Sequence, residues 1–116
     1  MKKVYFLQTC DTCRRILKEV NLEGFEQQEI KSNPVTADLL DEMYSFTQSY
    51  EGLFNKRARK YKTMDKDGIT ETDFRQLILH EYTFLKRPVF IVDDTIFVGN
   101  SKKEIERLKE TVGSSL

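Results

Sequence analysis

Two cysteines, Cys10 and Cys13, are the residues of this chain whose type and spacing can do chemistry directly. Side chains at positions i and i+3 share one face of a helix, where two thiols are close enough to form a disulfide. A cysteine at the start of a helix lies beside unpaired backbone N–H groups and the positive end of the helix dipole, which lower its pKa. The spacing therefore predicts a redox pair with Cys10 as the nucleophile and Cys13 as the resolving thiol.

The surroundings of the cysteine pair favour this prediction over two alternatives. Arg14 and Arg15 follow the pair, and we expect their positive charge to favour the Cys10 thiolate. Structural zinc needs about four ligands, whereas the chain offers one histidine, His80, and no second CxxC motif. An inert buried pair of thiols is the other alternative, and the exposed, polar setting expected at a helix start argues against it.

The elements that position the cysteines are predicted from the apolar pattern. Residues 3–7 form a short β-prone run, which predicts a buried strand directly before the motif. From Thr12 the apolar residues recur at helical spacing, and this predicts a helix that ends at Asn21 and Gly24. Residues 25–30 predict a second, more exposed strand. A CxxC motif that follows a strand and opens a helix is typical of redox sites.

The middle of the chain predicts an inserted helical segment. Pro34 breaks the chain, and Thr36 is a plausible N-cap for a helix that buries Leu39, Leu40 and Met43. Residues 45–64 are polar and less regular, which predicts short helical turns around Leu53, Phe54 and Tyr61. Thr70 and Asp73 form a variant of the capping box, opening a helix that buries Phe74, Leu77 and Ile78.

The last third of the chain predicts a hairpin followed by a helix. Residues 89–92 and 95–98 are two β-prone runs joined by a two-residue turn. Ser101 and Glu104 then form a capping box for a final helix that uses Ile105 and Leu108. The full order is strand, helix, strand, helical insert, hairpin and helix.

The composition of the chain is that of an ordinary globular domain. Its 116 residues include 19 lysine plus arginine and 19 aspartate plus glutamate residues, so the net charge requires neither nucleic acid nor an anionic membrane as a partner. The apolar stretch after Lys3 is too short for a signal peptide or a membrane span, and two cysteines are too few for a secreted disulfide scaffold. We therefore expect a cytoplasmic protein.

Three motifs in this order resemble the arsenate reductase (ArsC)/Spx-like family: Cys10-Asp11-Thr12-Cys13-Arg14-Arg15, Asn55-Lys56-Arg57 and Leu85-Lys86-Arg87-Pro88. The resemblance extends from Val4 to about Leu108. It implies an α/β fold of the thioredoxin/glutaredoxin-like type, with a four-stranded mixed sheet, helices and an inserted helical subdomain at about 35–80 in a single domain, 1–116. It also implies that Pro88 is cis and faces the cysteines.

The resemblance to the arsenate-reducing branch implies a thiol-dependent reductase. Cys10 matches the nucleophile and Arg87 matches the arginine before the proline, while Arg57 falls near the middle arginine of the family and fits the Spx-like pattern better. A third arginine is expected where this chain has Gly99, and its loss weakens the binding of an arsenate oxyanion. Typical arsenate reductases of this kind also lack a cysteine at the position of Cys13.

The expected site therefore comprises Cys10, Cys13, Arg87 and Arg57, with Thr12 and Pro88 as further residues. The chemistry is thiol–disulfide or arsenate-type reduction, in which Cys13 closes a disulfide with Cys10. No metal or organic cofactor is expected. The electrons come from an external thiol reductant such as glutathione, glutaredoxin or thioredoxin, and neither a membrane nor nucleic acid is a direct partner.

The resemblance to the Spx-like branch implies the alternative function, a redox-sensing transcriptional regulator that binds RNA polymerase. There the CxxC motif closes under oxidative stress and an arginine near Arg87 senses the change. The basic segment Lys56–Lys62 is a candidate docking surface, although its charges also fit a solvated helix face. Arg87 itself has a simpler reading too, as the ion-pair partner of a carboxylate such as Asp11.

Overall fold

A computed structural model describes residues 1–115 as a four-stranded mixed sheet with helices. The strands and helices are, in chain order, Lys2–Phe6 (β1), Asp11–Glu19 (α1), Glu26–Glu29 (β2), Ala37–Thr47 (α2), Arg59–Lys62 (α3), Glu71–His80 (α4), Val89–Val92 (β3), Thr95–Val98 (β4) and Lys102–Val112 (α5). Two short 3-10 turns, Glu51–Leu53 and Tyr82–Phe84, complete the described elements. This order agrees with the one predicted from the sequence.

The sheet has the strand order β2-β1-β3-β4. β1 pairs parallel with β2 and antiparallel with β3, and β3 and β4 form an antiparallel hairpin. All four residues of β3 are buried, which explains why this strand is uniformly apolar whereas the edge strand β2 is polar. Asp93 in the hairpin turn has a φ of 54°, a left-handed conformation that aspartate tolerates better than most residues.

The described residues fall into two compact units, one of residues 1–33 with 87–115 and one of residues 34–86. The second unit corresponds to the predicted helical insert, with wider bounds than 35–80. That the whole chain is a single domain stays a prediction. No helix of residues 1–115 is both long and apolar enough to cross a membrane.

One hydrophobic cluster of the first unit lies on one face of the sheet. Val4, Phe90 and Phe97 are register partners in β1, β3 and β4, so their side chains project from the same face. They pack with Ile16 of α1 and Leu108 of α5, both fully buried. Full burial of a side chain of this size contributes about 1.5–3 kcal/mol. The apolar stripe of α1 is thereby held against the sheet, which fixes the helix that carries the cysteines.

The core of the insert is aromatic. The ring of Phe54 lies 4.9 Å from the rings of Phe74 and Phe84, and 5.1 Å from that of Tyr61, measured between centroids. Such pairs stabilise a core beyond their buried area. Leu39 and Leu77 were predicted to be buried but are only half-buried. The two helices therefore bury a narrower apolar stripe than the sequence predicts.

The sequence predicts helix N-caps at Thr36, Thr70 and Ser101. Thr36 Oγ1 accepts a hydrogen bond from the N–H of Leu39, and the Thr70–Asp73 capping box is complete in both directions. Ser101 Oγ accepts from the N–H of Glu104 as predicted. The return bond of the Ser101–Glu104 box is replaced, because Glu104 Oε2 accepts a hydrogen bond of 2.9 Å from the N–H of Val98. Glu104 thus covers the exposed edge of β4.

The capping box at Thr70 gives a stability prediction. Thr70→Ala removes the acceptor for the N–H of Asp73, and we expect the free energy of unfolding to fall by about 1 kcal/mol. Denaturant unfolding followed by circular dichroism measures this change. The matched control is Thr72→Ala, an exposed threonine in the same helix turn, for which we expect no loss. Equal stability of the two variants would contradict the assignment.

Candidate active site

Cys10 ends a tight turn and begins α1. Its N–H donates to the carbonyl of Leu7 at 3.1 Å, and its own carbonyl accepts from the N–H of Arg14 at 3.1 Å. Cys10 is therefore the N-cap residue, with extended backbone angles. Its sulfur makes no capping hydrogen bond of ordinary geometry, but the N–H of Cys13 lies near enough to stabilise negative charge on it. The local sequence places the thiol at the positive end of the helix, as expected.

The two thiols lie close together but in different environments. Both are free, Cys10 being partly exposed and Cys13 fully buried. Burial raises the pKa of the Cys10 thiol, but hydrogen bonds from the N–H and thiol of Cys13 and from Arg87, together with the charge of Arg87, outweigh this effect. The net result is a pKa below the ordinary value for cysteine.

Cys13 shows the opposite shift. The pKa of its thiol is raised to about 12, chiefly by burial. A hydrogen bond from the backbone N–H of Leu7 acts against this rise, while negative charge on Cys10 adds to it. Of the two thiols, Cys10 is therefore the one that loses its proton first, while Cys13 stays protonated at neutral pH. A thiolate is the nucleophilic form of cysteine, so this order is the one that the predicted roles require.

Arg87 reaches the cysteines from the start of β3. The Arg87–Pro88 peptide bond is cis, as the family resemblance implies, and Pro88 is buried. The segment after β4 holds these two residues in place, because Asn100 Nδ2 donates to the Arg87 carbonyl at 3.2 Å and the N–H of Gly99 donates to the Pro88 carbonyl at 2.9 Å. Asn100 was not predicted as a site residue, and no local pattern identifies it.

The expectation for Arg14 and Arg15 requires correction. Arg14 forms an ion pair with Asp11, and Arg15 forms one of 3.1 Å with Glu19. Both arginines are exposed, so their pairing is a helix-surface feature. The positive charge that lowers the pKa of Cys10, in addition to the hydrogen bonds from Cys13, is instead that of Arg87, which is distant in sequence. Asp11, considered above as a partner for Arg87, is thus engaged by Arg14.

Thr12 and Arg57 are the remaining predicted site residues. Thr12 is half-exposed in the first turn of α1. Arg57 belongs to the insert, where its side chain is exposed and its N–H donates to Asn55 Oδ1; its role stays a prediction. Gly99, at the position of the expected third arginine, has a φ of 86°, which favours glycine. Within residues 1–115 no three histidine, cysteine, aspartate or glutamate side chains gather as a metal-binding group.

The fold and the paired thiols define a thioredoxin-like α/β protein with its CxxC motif at a helix start. The chain belongs to the ArsC family, whose model matches residues 5–108.

Individual relatives cover most of the chain. An uncharacterized protein of Haemophilus influenzae is 26% identical over 114 residues, covering 91% of this chain and 96% of that protein. The global transcriptional regulator Spx of Streptococcus pyogenes is 24% identical over 113 residues, covering 90% of this chain and 82% of that protein. The Spx-like branch of the resemblance noted in the sequence is therefore represented among these relatives.

Solved structures share the fold. The arsenate reductase from Vibrio cholerae has a TM-score of 0.71 at 15% identity and covers 94% of this chain and 95% of its own. An arsenate reductase (ArsC) related protein from Brucella melitensis has a TM-score of 0.68 at 23% identity, covering 91% of this chain and 92% of its own. These likenesses confirm the predicted thioredoxin-like architecture.

The contacts of Arg87 give a prediction for Cys10. In Arg87→Gln the pKa of Cys10 should rise, because both a donor and a positive charge are lost. Each unit of rise lowers the thiolate fraction roughly tenfold at a pH well below the pKa. The pH dependence of alkylation by iodoacetamide, with the modified residue identified by mass spectrometry, measures the shift. Arg14→Gln is the matched control and should leave the profile nearly unchanged; an equal shift in both variants would contradict this assignment.

Proposed function

We propose that this protein is a thiol-dependent reductase with Cys10 as its nucleophile and Cys13 as its resolving thiol. The observation that carries the proposal is the placement of two free thiols within one helix turn, with Cys10 partly exposed at the N-cap of α1 and Cys13 fully buried. The opposite directions of their pKa shifts agree with this placement. A partly exposed thiol with a lowered pKa beside a buried thiol with a raised pKa suits a two-step exchange.

In the first step the Cys10 thiolate attacks one sulfur of an oxidised disulfide. A mixed disulfide forms between Cys10 and that sulfur, the substrate S–S bond breaks, and the other substrate sulfur leaves as a thiolate. Arg87 and the N–H of Cys13 hold the Cys10 thiolate ready for this attack. They also stabilise the negative charge that is shared among the three sulfurs during the exchange.

In the second step Cys13 attacks the sulfur of Cys10. Negative charge on Cys10 is one cause of the raised pKa of Cys13, and that charge disappears once Cys10 is bound in the mixed disulfide. Cys13 can then lose its proton to the departing substrate thiolate more readily. The second half of the substrate is released as a thiol, and the Cys10–Cys13 disulfide forms. Two electrons have passed from the protein to the substrate.

An external thiol reductant completes the proposed cycle. Glutathione, glutaredoxin or thioredoxin supplies two electrons, which restore the Cys10 and Cys13 thiols. We propose a disulfide in preference to arsenate as the substrate, since Gly99 stands where the third arginine of an arsenate site is expected. An oxyanion that bears several negative charges is stabilised by several charge-assisted donors, and a glycine at that position supplies no guanidinium.

The second candidate function is that of a redox-switched regulator that binds RNA polymerase. It is favoured by the similarity to Spx regulators across most of the chain. The basic segment Lys56–Lys62 gives limited support: Lys56 pairs with Glu51 and Lys60 with Glu81, so part of its charge is already satisfied. Arg57, Arg59 and Lys62 are exposed and are the side chains through which docking would occur.

Cysteine variants test the reductase. We expect NADPH-coupled turnover of a small disulfide, with glutathione, glutaredoxin or thioredoxin systems, to disappear in Cys10→Ser. Cys13→Ala should instead accumulate a mixed disulfide on Cys10 that mass spectrometry detects, because the resolving thiol is gone. Arg15→Gln, on the exposed face of the same helix, serves as the control and should turn over normally.

The same experiment separates the two functions. Full turnover by Cys10→Ser would refute the role of Cys10, and normal turnover by Cys13→Ala with no mixed disulfide on Cys10 would refute the role of Cys13. If the wild-type protein oxidises reversibly between Cys10 and Cys13 but turns over neither arsenate nor disulfide, the regulator is favoured. Binding of the oxidised and reduced forms to RNA polymerase, with Arg57→Glu as the variant, then tests that candidate directly.

A further inference from the structure

Glu29 is a half-buried carboxylate at the end of the edge strand β2, and the reaction proposed above does not use it. It is the last residue of β2, in register with Phe6 at the end of β1. Its side chain is half-buried and accepts four hydrogen bonds from two different loops. A carboxylate that accepts several N–H groups holds them more strongly than a neutral acceptor does.

One oxygen of Glu29 holds the loop that leads to Cys10. Glu29 Oε2 accepts a hydrogen bond of 2.9 Å from the N–H of Gln8. Gln8 is the second residue of the Leu7–Cys10 turn, which closes with the 3.1 Å bond from the N–H of Cys10 to the carbonyl of Leu7. The position of the turn on the sheet, and hence of the Cys10 sulfur, depends on how Gln8 is held.

The other oxygen holds the loop that follows β2. Glu29 Oε1 accepts from the N–H of Lys31 at 2.9 Å, and from the N–H and hydroxyl of Ser32 at 2.8 Å and 2.9 Å. Burial raises the pKa of Glu29, but its bonds to Gln8, Ser32 and Lys31 outweigh this and hold the pKa below its usual range. Glu29 is therefore ionised at neutral pH and fixed in one orientation.

We propose that Glu29 is a positioning residue for Cys10, holding the Leu7–Cys10 turn so that the thiol stays in contact with the N–H of Cys13 and with Arg87. The proposal rests on Cys10 being the reactive thiol. Its effect is one of geometry, because the groups that favour the thiolate act over short distances. When the turn is released from Gln8, the sulfur moves away from these groups for part of the time and its pKa rises.

Glu29→Gln tests the proposal because geometry and charge predict opposite results. Removal of a negative charge by itself lowers the pKa of a neighbouring thiol. Loss of positioning raises it, and we expect the alkylation rate of Cys10 at neutral pH to fall about threefold to tenfold, as for a rise of half to one pKa unit. The pH profile of iodoacetamide alkylation measures this without any assumption about a substrate.

Three further variants make the result specific. Glu26→Gln removes the same charge from an exposed side chain at the other end of β2, and Ser32→Ala removes a contact of the second loop only; both should keep the wild-type profile. Glu29→Asp keeps the charge but is one methylene too short to bridge both loops, so it should shift the profile upward. It also carries the test if Glu29→Gln does not fold.

An unchanged or lowered pKa of Cys10 in folded Glu29→Gln or Glu29→Asp would overturn the proposal. A loss of thermal stability with a normal alkylation profile would do the same, since it would show a role in folding alone. Failure of the proposed reductase appears differently, as a lack of turnover in the wild-type protein whose Cys10 is still reactive toward iodoacetamide.

Discussion

The antiparallel pairing of β1 with β3 is the constraint on which the site depends. β1 ends at Phe6, just before the turn that carries Cys10, and β3 begins at Val89, just after Arg87 and Pro88. Since Tyr5 pairs with Val89, the end of one strand lies beside the start of the other. The same ladder buries Val4 and Phe90 in the sheet core, so the packing that stabilises the sheet also brings a distant arginine to the thiols.

The two thiols differ in exposure and in pKa because they lie one helix turn apart. Cys10 caps α1 and remains partly exposed, whereas Cys13 lies one turn further on the buried face of the same helix. Desolvation acts on both thiols, but only Cys10 has enough donors to overcome it. Two chemically identical side chains three positions apart thereby acquire opposite protonation preferences, and the order of the proposed exchange follows from this difference.

The segment after β4 supports the site without adding positive charge to it. Gly99 and Asn100 bond the carbonyls of Pro88 and Arg87, and Glu104 bonds the N–H of Val98. These contacts fix the backbone on which Arg87 is carried. The groups that make these contacts are a backbone N–H, the side-chain amide of Asn100 and the carboxylate of Glu104. None of them is the guanidinium that the arsenate-reducing pattern expects at this place. Because this segment adds no positive charge for an oxyanion, we prefer a disulfide to arsenate as the proposed substrate.

The sequence by itself determined the features that depend on residues close together along the chain, within one or two helix turns. The strands, the caps at Thr36 and Thr70 and the position of Cys10 at a helix start are of this kind, because local periodicity and side chain–backbone bonds specify them. The resemblance to the family added the topology of the sheet and the cis bond before Pro88, which local patterns do not encode.

Only the tertiary structure decided which charged groups act on the thiols and which are taken up elsewhere. Arg14 and Arg15 are nearest to Cys10 in sequence, yet they pair with carboxylates on their own helix. Glu104 accepts a hydrogen bond from the N–H of Val98 in β4 in place of the expected capping bond. Glu29 accepts one from the N–H of Gln8, in a loop that no local pattern connects to it. The approach of Arg87 to the thiols and the bond from Gln8 to Glu29 depend on strand register across the sheet, a long-range property that residue spacing along the chain does not contain.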